Sequence, residues 1–356
     1  MERENTIFIG SDILTKSPDR MWNAMREARI TWAKNMPDPY VQAFIERITE
    51  LTGQEDAAIL PTCGAANLTA LMTHVKRGGQ IVTDRHEHIL WYEGNGINGV
   101  AGVRPEVVST ENGIMTPDQV ADMIDYSVCN QIPYHAAVFM ENTHTIGGGI
   151  PYSADDTKEI AKIAHERNLK VHIDGARIFN AAVAEETTVR ELTESVDSIS
   201  ISLNKLVGAP YGAVLCGSKD FIQSAKVNMK MIGAFSLHKA GLVAAAAMTQ
   251  ISEEYYPAFL EDIRNIHIRT KKFAKMLNEI PDIYVDLSKV KSNLFFMDIS
   301  QVGMDSFEFL KKMEERGVIG NYRSDSLIRF VLSTDITDSD ITKAVEIVEQ
   351  ISKSSK

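Results

Sequence analysis

The fold class is decided by two stretches, Lys170-Val171-His172-Ile173-Asp174-Gly175-Ala176-Arg177 and Ser198-Ile199-Ser200-Ile201-Ser202-Leu203-Asn204-Lys205. Each opens with a short run rich in β-branched residues, which is typical of a buried strand. A segment long enough for a helix lies between them. Strands that alternate with helices at this spacing predict a mostly parallel, doubly wound sheet.

The same alternation continues along the chain. Further strands are predicted at 57–61, 80–83, 136–140, 212–216, 284–286, 294–298 and 327–332. Helices are predicted at 18–29, 65–75, 155–167, 259–277, 306–316 and 338–352. We expect an α/β fold in three parts, which are an N-terminal arm and helix (1–25), a large domain (26–250) and a small C-terminal α+β domain (251–356).

Several polar residues follow predicted strands at the point where each strand ends. Ligands of doubly wound sheets bind beyond the carboxyl ends of the parallel strands. The shared position therefore predicts a functional site at that edge of the sheet. The residues are Glu141, His144, Asp174, Arg177 and Lys205.

Lys205 and Asp174 together indicate a particular chemistry. Pyridoxal phosphate needs an amine that forms a Schiff base and a carboxylate that keeps its pyridine nitrogen protonated. The cationic ring then accepts the electrons released when a bond to Cα breaks. Ordinary alternatives stay open, because most lysines are exposed and an aspartate after a strand often caps a helix.

Two further segments offer candidate binding groups. Cys63-Gly64-Ala65-Ala66-Asn67 opens a predicted helix after a strand, where small residues and helix N–H groups suit a phosphate, although they also suit close packing. His88 is a flat imidazole suited to stacking and proton transfer, or an ordinary histidine. Its spacing from His86 does not match that of metal ligands, and no metal site is expected.

Arg177 and Arg329 are candidates for binding a substrate carboxylate. An arginine guanidinium binds a carboxylate through two parallel hydrogen bonds. Arg329 stands inside an apolar strand, so it either faces solvent or is held for a ligand.

Bulk properties narrow the class of protein. The net charge is −11 without a basic stripe, so nucleic acid is not an expected partner. We expect no membrane span and no secretory signal, and three cysteines without metal-ligand spacing favour a reduced, cytoplasmic compartment.

The chain resembles the threonine aldolase and β-eliminating lyase family of fold-type I pyridoxal phosphate enzymes over nearly its whole length. The segments that carry the resemblance are Gly10–Thr15, Leu60–Leu68, Met140–His144, His172–Ala181 and the Lys205 segment.

The resemblance implies a role for each matching residue. Lys205 is the Schiff-base lysine, Asp174 the partner of the pyridine nitrogen, and His88 the histidine that stacks on the ring. Cys63 and Gly64 bind the phosphate through their backbone. The substrate carboxylate binds to Ser11, Arg177 and Arg329, and Arg177 also lies near the cofactor. Family members are usually homotetramers built from dimers whose active sites lie at subunit interfaces, so the resemblance implies a homodimer or homotetramer.

Several positions depart from the family pattern. Asn204 stands where a serine precedes the lysine, the segment 32–40 lacks the usual acidic, glycine-rich stretch, and Gln131 replaces a second active-site histidine. His238 or Lys239 replaces an arginine that reaches the phosphate of the neighbouring subunit.

The expected activity is cleavage of a threonine-like β-hydroxy-α-amino acid to glycine and an aldehyde. The alternatives are β-elimination or racemisation of another amino acid, and a catalytically silent binding protein of the same fold.

Overall fold

The structure is a computed structural model that describes residues 6–31, 38–129, 135–235 and 237–354, apart from the side chains of residues 127–129. The strands, in chain order, are β1 (Ile7–Phe8), β2 (Asp56–Leu60), β3 (Gln80–Asp84), β4 (Arg104–Val108), β5 (His135–Glu141), β6 (Lys170–Asp174), β7 (Ser198–Ser202), β8 (Ala213–Gly217), β9 (Leu294–Asp298), β10 (Val318–Ile319), β11 (Asn321–Tyr322) and β12 (Leu327–Val331).

Helices precede or follow most of these strands. They are α1 (Asp19–Glu27), α2 (Pro39–Thr52), α3 (Cys63–His74), α4 (His88–Trp91), α5 (Pro117–Cys129), α6 (Ala154–Glu166), α7 (Ile178–Ala184), α8 (Val189–Thr193), α9 (Lys219–Met231), α10 (Ala240–Ile251), α11 (Tyr256–Asn278), α12 (Ser306–Glu314) and α13 (Asp338–Lys353). Among the described residues, no helix has the length and apolar character needed to cross a membrane.

The chain divides into two compact units. The larger unit comprises Ser17–Phe259, and the smaller unit comprises Met1–Lys16 together with Leu260–Lys356. The sequence predicts the large domain at 26–250 and groups the first residues with a helix. In the structure the helix α1 belongs to the larger unit, whereas the strand β1 before it pairs with β10 in the smaller one.

The larger unit is built on a seven-stranded sheet with the order β2-β8-β7-β6-β5-β3-β4. The strand β8 runs antiparallel to both of its neighbours, and the other pairs are parallel. Buried parallel strands consist largely of apolar residues, and β5 fits this rule because all seven of its residues are buried and the run 136–140 within it is apolar. The predicted α/β class, with its mostly parallel sheet, is confirmed.

The burial of the strand β7 differs from what its sequence pattern predicts. Alternation of serine with isoleucine is typical of a strand with one face in water. All five residues of β7 are nevertheless buried. Its serine face is turned towards α3 and β6, where Ser198 and Ser200 form hydrogen bonds with other buried side chains.

The helix α3 positions the residues that open it. Thr62 is its N-cap, and the Thr62 hydroxyl accepts a hydrogen bond from the Ala65 amide at 3.1 Å. Cys63, Asn67 and His74 are spaced by four and seven residues, so they share one face of the helix. All three contact the serine face of β7 or its neighbours.

The smaller unit contains a three-stranded antiparallel sheet with the order β11-β12-β9. Phe273, Phe295 and Phe330 form its aromatic core, with ring centroids 5.3–5.6 Å apart. The predicted strand at 284–286 is wrong. Only Tyr284 pairs there, through an isolated bridge to Asp298, and Asp286 instead caps a short 3-10 helix.

Candidate active site

Six of the predicted site residues lie in the larger unit. Asp174 ends β6, Lys205 follows β7, and Arg177 precedes α7. Cys63 and Gly64 open α3, and His88 opens α4. Parallel strands β6 and β7 end at the same edge of the sheet, so these residues collect around that edge.

Asp174 is held by hydrogen-bond donors that carry no charge. Its Oδ2 accepts from the Asn67 amide at 2.8 Å, and its Oδ1 accepts from the Ala176 N–H at 3.0 Å. The Cys63 sulfur lies 3.8 Å from the same Oδ1. The carboxylate is buried, with 7% of the residue exposed, so its charge is little screened by water.

His88 is paired with Glu93. The His88 Nδ1 lies 3.0 Å from Glu93 Oε1, and the ring remains about one-third exposed. Burial alone lowers the pKa of His88, but the hydrogen bond to Glu93 and the charges of Asp174 and Glu141 outweigh it. The net result is a raised pKa.

The first residues of α3 border the same edge. A cleft of about 450 Å³ is lined by Gly64, His88 and Glu93, among other residues. The first amides of a helix have no acceptor within it, so they are donors for an anion. Burial and the charge of Asp174 raise the pKa of the Cys63 thiol, while nearby Lys205 lowers it. Cys63 is therefore a neutral thiol beside Asp174 at neutral pH.

Backbone hydrogen bonds shape the loop that carries Lys205. The Gly208 N–H donates to the Lys205 carbonyl at 2.9 Å, and the Ala209 N–H donates to Leu203 at 2.8 Å. The Ser17 hydroxyl donates to the Gly208 carbonyl at 2.6 Å. Gly208 has φ +78°, a conformation that disfavours other residues. Lys205 therefore lies in a turn that is closed by backbone hydrogen bonds.

Arg177 is buried, and its Nη1 donates to the Thr145 hydroxyl at 2.9 Å. The Thr145 N–H in turn donates to Glu141 Oε1 at 2.9 Å. This chain of contacts connects Arg177, in the loop after β6, with Glu141 at the end of β5. It fixes Thr145, and through it one terminal nitrogen of the guanidinium.

A second group of buried acids contacts the backbone of His88. The Glu141 carboxylate accepts from the His88 N–H at 3.1 Å, and the Glu141 N–H donates to Glu87 at 3.0 Å. Burial and the charge of Glu141 raise the pKa of Glu87 well above its ordinary value, which favours its neutral form. These contacts fix the backbone of His88.

His144 belongs to the same group of buried side chains. Its Nδ1 accepts from the Gly147 N–H at 2.9 Å, so the hydrogen is on Nε2, which lies 3.4 Å from Asp84 Oδ1. A side chain at Gly113 would overlap the His144 ring, and one at Gly147 would overlap the Asn112 carbonyl. His144 is therefore held by the Gly147 N–H inside a tightly packed loop.

The two remaining predicted residues lie in the smaller unit. Ser11 caps a short 3-10 helix by accepting from the Ile13 N–H at 3.4 Å. Arg329 lies on β12 and its Nη2 donates to the Gly10 carbonyl at 3.3 Å. The two residues are therefore neighbours within that unit.

Other positions singled out in the sequence are only partly described. Gln131 and residues 32–37 lie outside the described residues. Asp38 caps α2, and Asn204 accepts from the Ser202 hydroxyl at 2.7 Å. His238 and Lys239 are exposed in the turn before α10.

The structure adds residues to the site that carried no individual prediction. Asn67 and Glu93 contact Asp174 and His88 directly, and Ser200 contacts Asn67. Asn67 stands in the same motif as Cys63, and Glu93 in the same segment as His88. Neither residue type at its position in the sequence indicates these contacts.

This arrangement defines the class of protein as a fold-type I enzyme. The threonine aldolase of Leishmania major has the same fold, with a TM-score of 0.79 at 16% identity over 97% of this chain and 99% of that one.

The sequence matches the family described as β-eliminating lyase over residues 9–300. Low-specificity L-threonine aldolase 1 of Arabidopsis thaliana is 32% identical over 97% of this chain and 96% of its own. Low specificity L-threonine aldolase of Escherichia coli O157:H7 is 30% identical over 93% and 95%. The chain belongs to the β-eliminating lyase family.

Proposed function

We propose that the protein is a pyridoxal phosphate-dependent lyase that cleaves threonine-like β-hydroxy-α-amino acids to glycine and an aldehyde. The names of its full-length relatives support this reaction. The observation that carries the proposal is the buried Asp174, which accepts from the neutral Asn67 amide and Ala176 N–H and lies at the same sheet edge as Lys205. A carboxylate of this kind suits a cationic pyridine ring.

The residues present fit this cofactor. When bound, pyridoxal phosphate provides the electron sink for a pair released at Cα. Asp174 would hold the proton on the pyridine nitrogen, and Lys205 would attach the cofactor covalently. Cys63 and Gly64 would donate their backbone N–H groups to the phosphate at the start of α3, where the helix dipole favours an anion.

His88 is suited to act as the base at its Nε2 atom. Glu93 accepts from Nδ1, so the neutral ring carries its hydrogen there and keeps a lone pair on Nε2. That atom would take the proton of the substrate β-hydroxyl as the Cα–Cβ bond breaks. Glu93 would stabilise the resulting imidazolium.

We assign the substrate carboxylate to arginine. Arg177 is buried and already positioned by Thr145. The family resemblance supports the same role for Arg329 and Ser11. A carboxylate grip selects which bond to Cα is cleaved, so the same residues also decide between aldol cleavage and the alternatives of β-elimination and racemisation.

We further propose a cytoplasmic homodimer or homotetramer, with His238 or Lys239 contributing to the active site of a neighbouring subunit. Large apolar side chains that are more than half exposed, such as Trp91, Tyr92 and Met231, support an assembly. Neither nucleic acid nor a membrane is a proposed partner.

A substrate panel tests the reaction. Purified protein is incubated with L-threonine, L-allo-threonine, β-phenylserine and L-cysteine, and aldehyde, glycine and 2-oxo acids are measured. Glycine and aldehyde in equal amounts are expected. Formation of 2-oxo acid without aldehyde would instead establish β-elimination, and interconversion of enantiomers alone would establish racemisation.

The Lys205→Ala variant tests the cofactor. The wild-type protein is expected to show the absorbance band of covalently bound pyridoxal phosphate, and the variant to lack it. Lys162→Ala, at an exposed position on α6, is the matched control. A wild-type protein that stays colourless with added pyridoxal phosphate would favour a binding protein without this chemistry.

A further inference from the structure

Asn67 occupies the centre of a hydrogen-bond network beneath the proposed site. It lies on α3, one turn after Cys63, and is 1% exposed. One amide hydrogen goes to Asp174 Oδ2 and the other to Glu93 Oε1, each at 2.8 Å. Both partners are carboxylates, which only accept, so the orientation of the amide group is unambiguous.

The network joins two groups with separate tasks. Glu93 Oε1 also lies 3.0 Å from His88 Nδ1. A single amide therefore connects Asp174, the proposed partner of the pyridine nitrogen, with the pair that holds the proposed base. Hydrogen bonds to ionised acceptors are roughly twice as strong as neutral ones, so both links resist rotation of the carboxylates.

The carbonyl oxygen of Asn67 is fixed from the other side. It accepts from the Ser200 hydroxyl and lies 3.4 Å from His172 Nε2. His172 must donate at Nε2, so its Nδ1 accepts from the Ser198 hydroxyl at 2.8 Å. Ser198 in turn accepts from His74 Nε2 at 2.7 Å.

Donors and acceptors thus alternate along a line from His74 to Asp174. Burial lowers the pKa of His74 to about 4 and that of His172 well below its ordinary value, so both rings stay neutral in this line at physiological pH. Aligned hydrogen bonds of this kind polarise one another. They favour a strong donation from Asn67 to the two carboxylates.

We propose that Asn67 is a positioning residue that orients the Asp174 carboxylate towards the pyridine nitrogen and couples it to the Glu93–His88 pair. This inference rests on the proposed function. It assigns Asn67 no contact with substrate, so its loss acts through the cofactor rather than through substrate binding.

The test compares Asn67→Ala and Asn67→Asp with the wild-type protein. Dissociation of pyridoxal phosphate, the pH titration of its absorbance band, kcat, KM and the melting temperature are measured. We expect affinity for the cofactor to fall roughly 10- to 100-fold, the range for a lost hydrogen bond to a charged group. The titration of the band should shift and kcat should fall, with KM nearly unchanged.

Asn228→Asp is the matched control. The Asn228 amide donates to Thr73 on α3 at 3.0 Å, so this variant also loses a hydrogen bond to that helix. It should bind the cofactor like the wild-type protein. Asn67 variants that show only a lower melting temperature, with unchanged cofactor affinity and band titration, would overturn the inference.

Ser200→Ala covers the case in which Asn67 variants do not fold. It removes one donor to the Asn67 carbonyl and leaves both amide links in place. A drop in cofactor affinity of several-fold is expected, and an unchanged affinity would overturn the inference. Failure of the wild-type protein to bind pyridoxal phosphate would instead refute the proposed function.

Discussion

Asp174 and Asp197 lie at opposite ends of two neighbouring strands and have opposite surroundings. Asp174 ends β6, is buried, and receives hydrogen bonds from an amide and a backbone N–H. Asp197 precedes β7, and its oxygens lie 2.7 Å from Lys170 Nζ and 2.8 Å from His165 Nε2, both exposed side chains. One carboxylate is paired with a lysine of the protein, and the other accepts from neutral donors.

The difference separates a structural acid from the acid that we propose is functional. Asp197 is already compensated and has a lowered pKa, since Lys170, His165 and the Val171 N–H outweigh the effect of burial. Asp174 accepts its hydrogen bonds from the Asn67 amide and the Ala176 N–H, which carry no charge. A buried carboxylate of this kind is costly for the fold and useful for a cationic ligand.

Among the variants that test the comparison of Asp174 with Asp197, Asp174→Asn should have the largest effect on activity. The amide keeps the shape but loses the charge that stabilises a protonated pyridine. We expect kcat to fall on the order of 10²–10³-fold, the cost of losing one preorganised electrostatic group. Steady-state kinetics and cofactor absorbance measure it. Activity close to that of the wild-type protein would show that charge at residue 174 is not needed.

Glu93→Gln should have an intermediate effect that appears in the pH profile. A base acts in its neutral form, so activity rises with pH through the pKa of His88, which Glu93 helps to raise. Loss of that charge lowers this pKa, and the acidic limb of kcat/KM moves to lower pH. The drop in rate should stay below the roughly 10²–10⁴-fold attributed to a complete general base.

The exposed Glu159→Gln on α6 is the control for Glu93→Gln, and its profile should match that of the wild-type protein. If the acidic limb of the kcat/KM profile of Glu93→Gln lies at the same pH as in the wild-type protein, the pKa of His88 does not determine that limb.

Asp197→Asn should give the smallest effect, on stability alone. Both partners of Asp197 are exposed, so its ion pairs contribute up to about 1 kcal/mol of unfolding free energy. The pKa of Asp197 is lowered in the folded state. The contribution is therefore present at neutral pH and disappears as pH falls through that lowered pKa. Urea unfolding at neutral and acidic pH measures it, and reduced kcat would contradict the comparison.

The candidate site residues that lie at the end of a predicted strand, or just after it, could be predicted from the sequence. β6 and β7 have the bounds that their sequences predict, and Asp174 and Lys205 follow from them. The carboxyl edge of a parallel sheet is a general binding position, so residue type and position together were informative there.

The network around Asn67 was not predictable from local sequence. Ser198 and Ser200 have the pattern of a strand with one solvent-exposed face, yet they face buried histidine and asparagine side chains. Their partners come from β6 and α3, more than 25 residues away in sequence. Pairings of this kind depend on tertiary packing, which periodicity does not encode.

The two glycines around His144 set a limit on sequence change. Loops usually accept substitution more readily than strands. At Gly113 and Gly147 any side chain would collide with the His144 ring or with the Asn112 carbonyl. In a saturation library, these two loop positions should therefore be depleted of every other residue as strongly as the centre of the sheet, and a designer seeking variability near the site would have to look elsewhere.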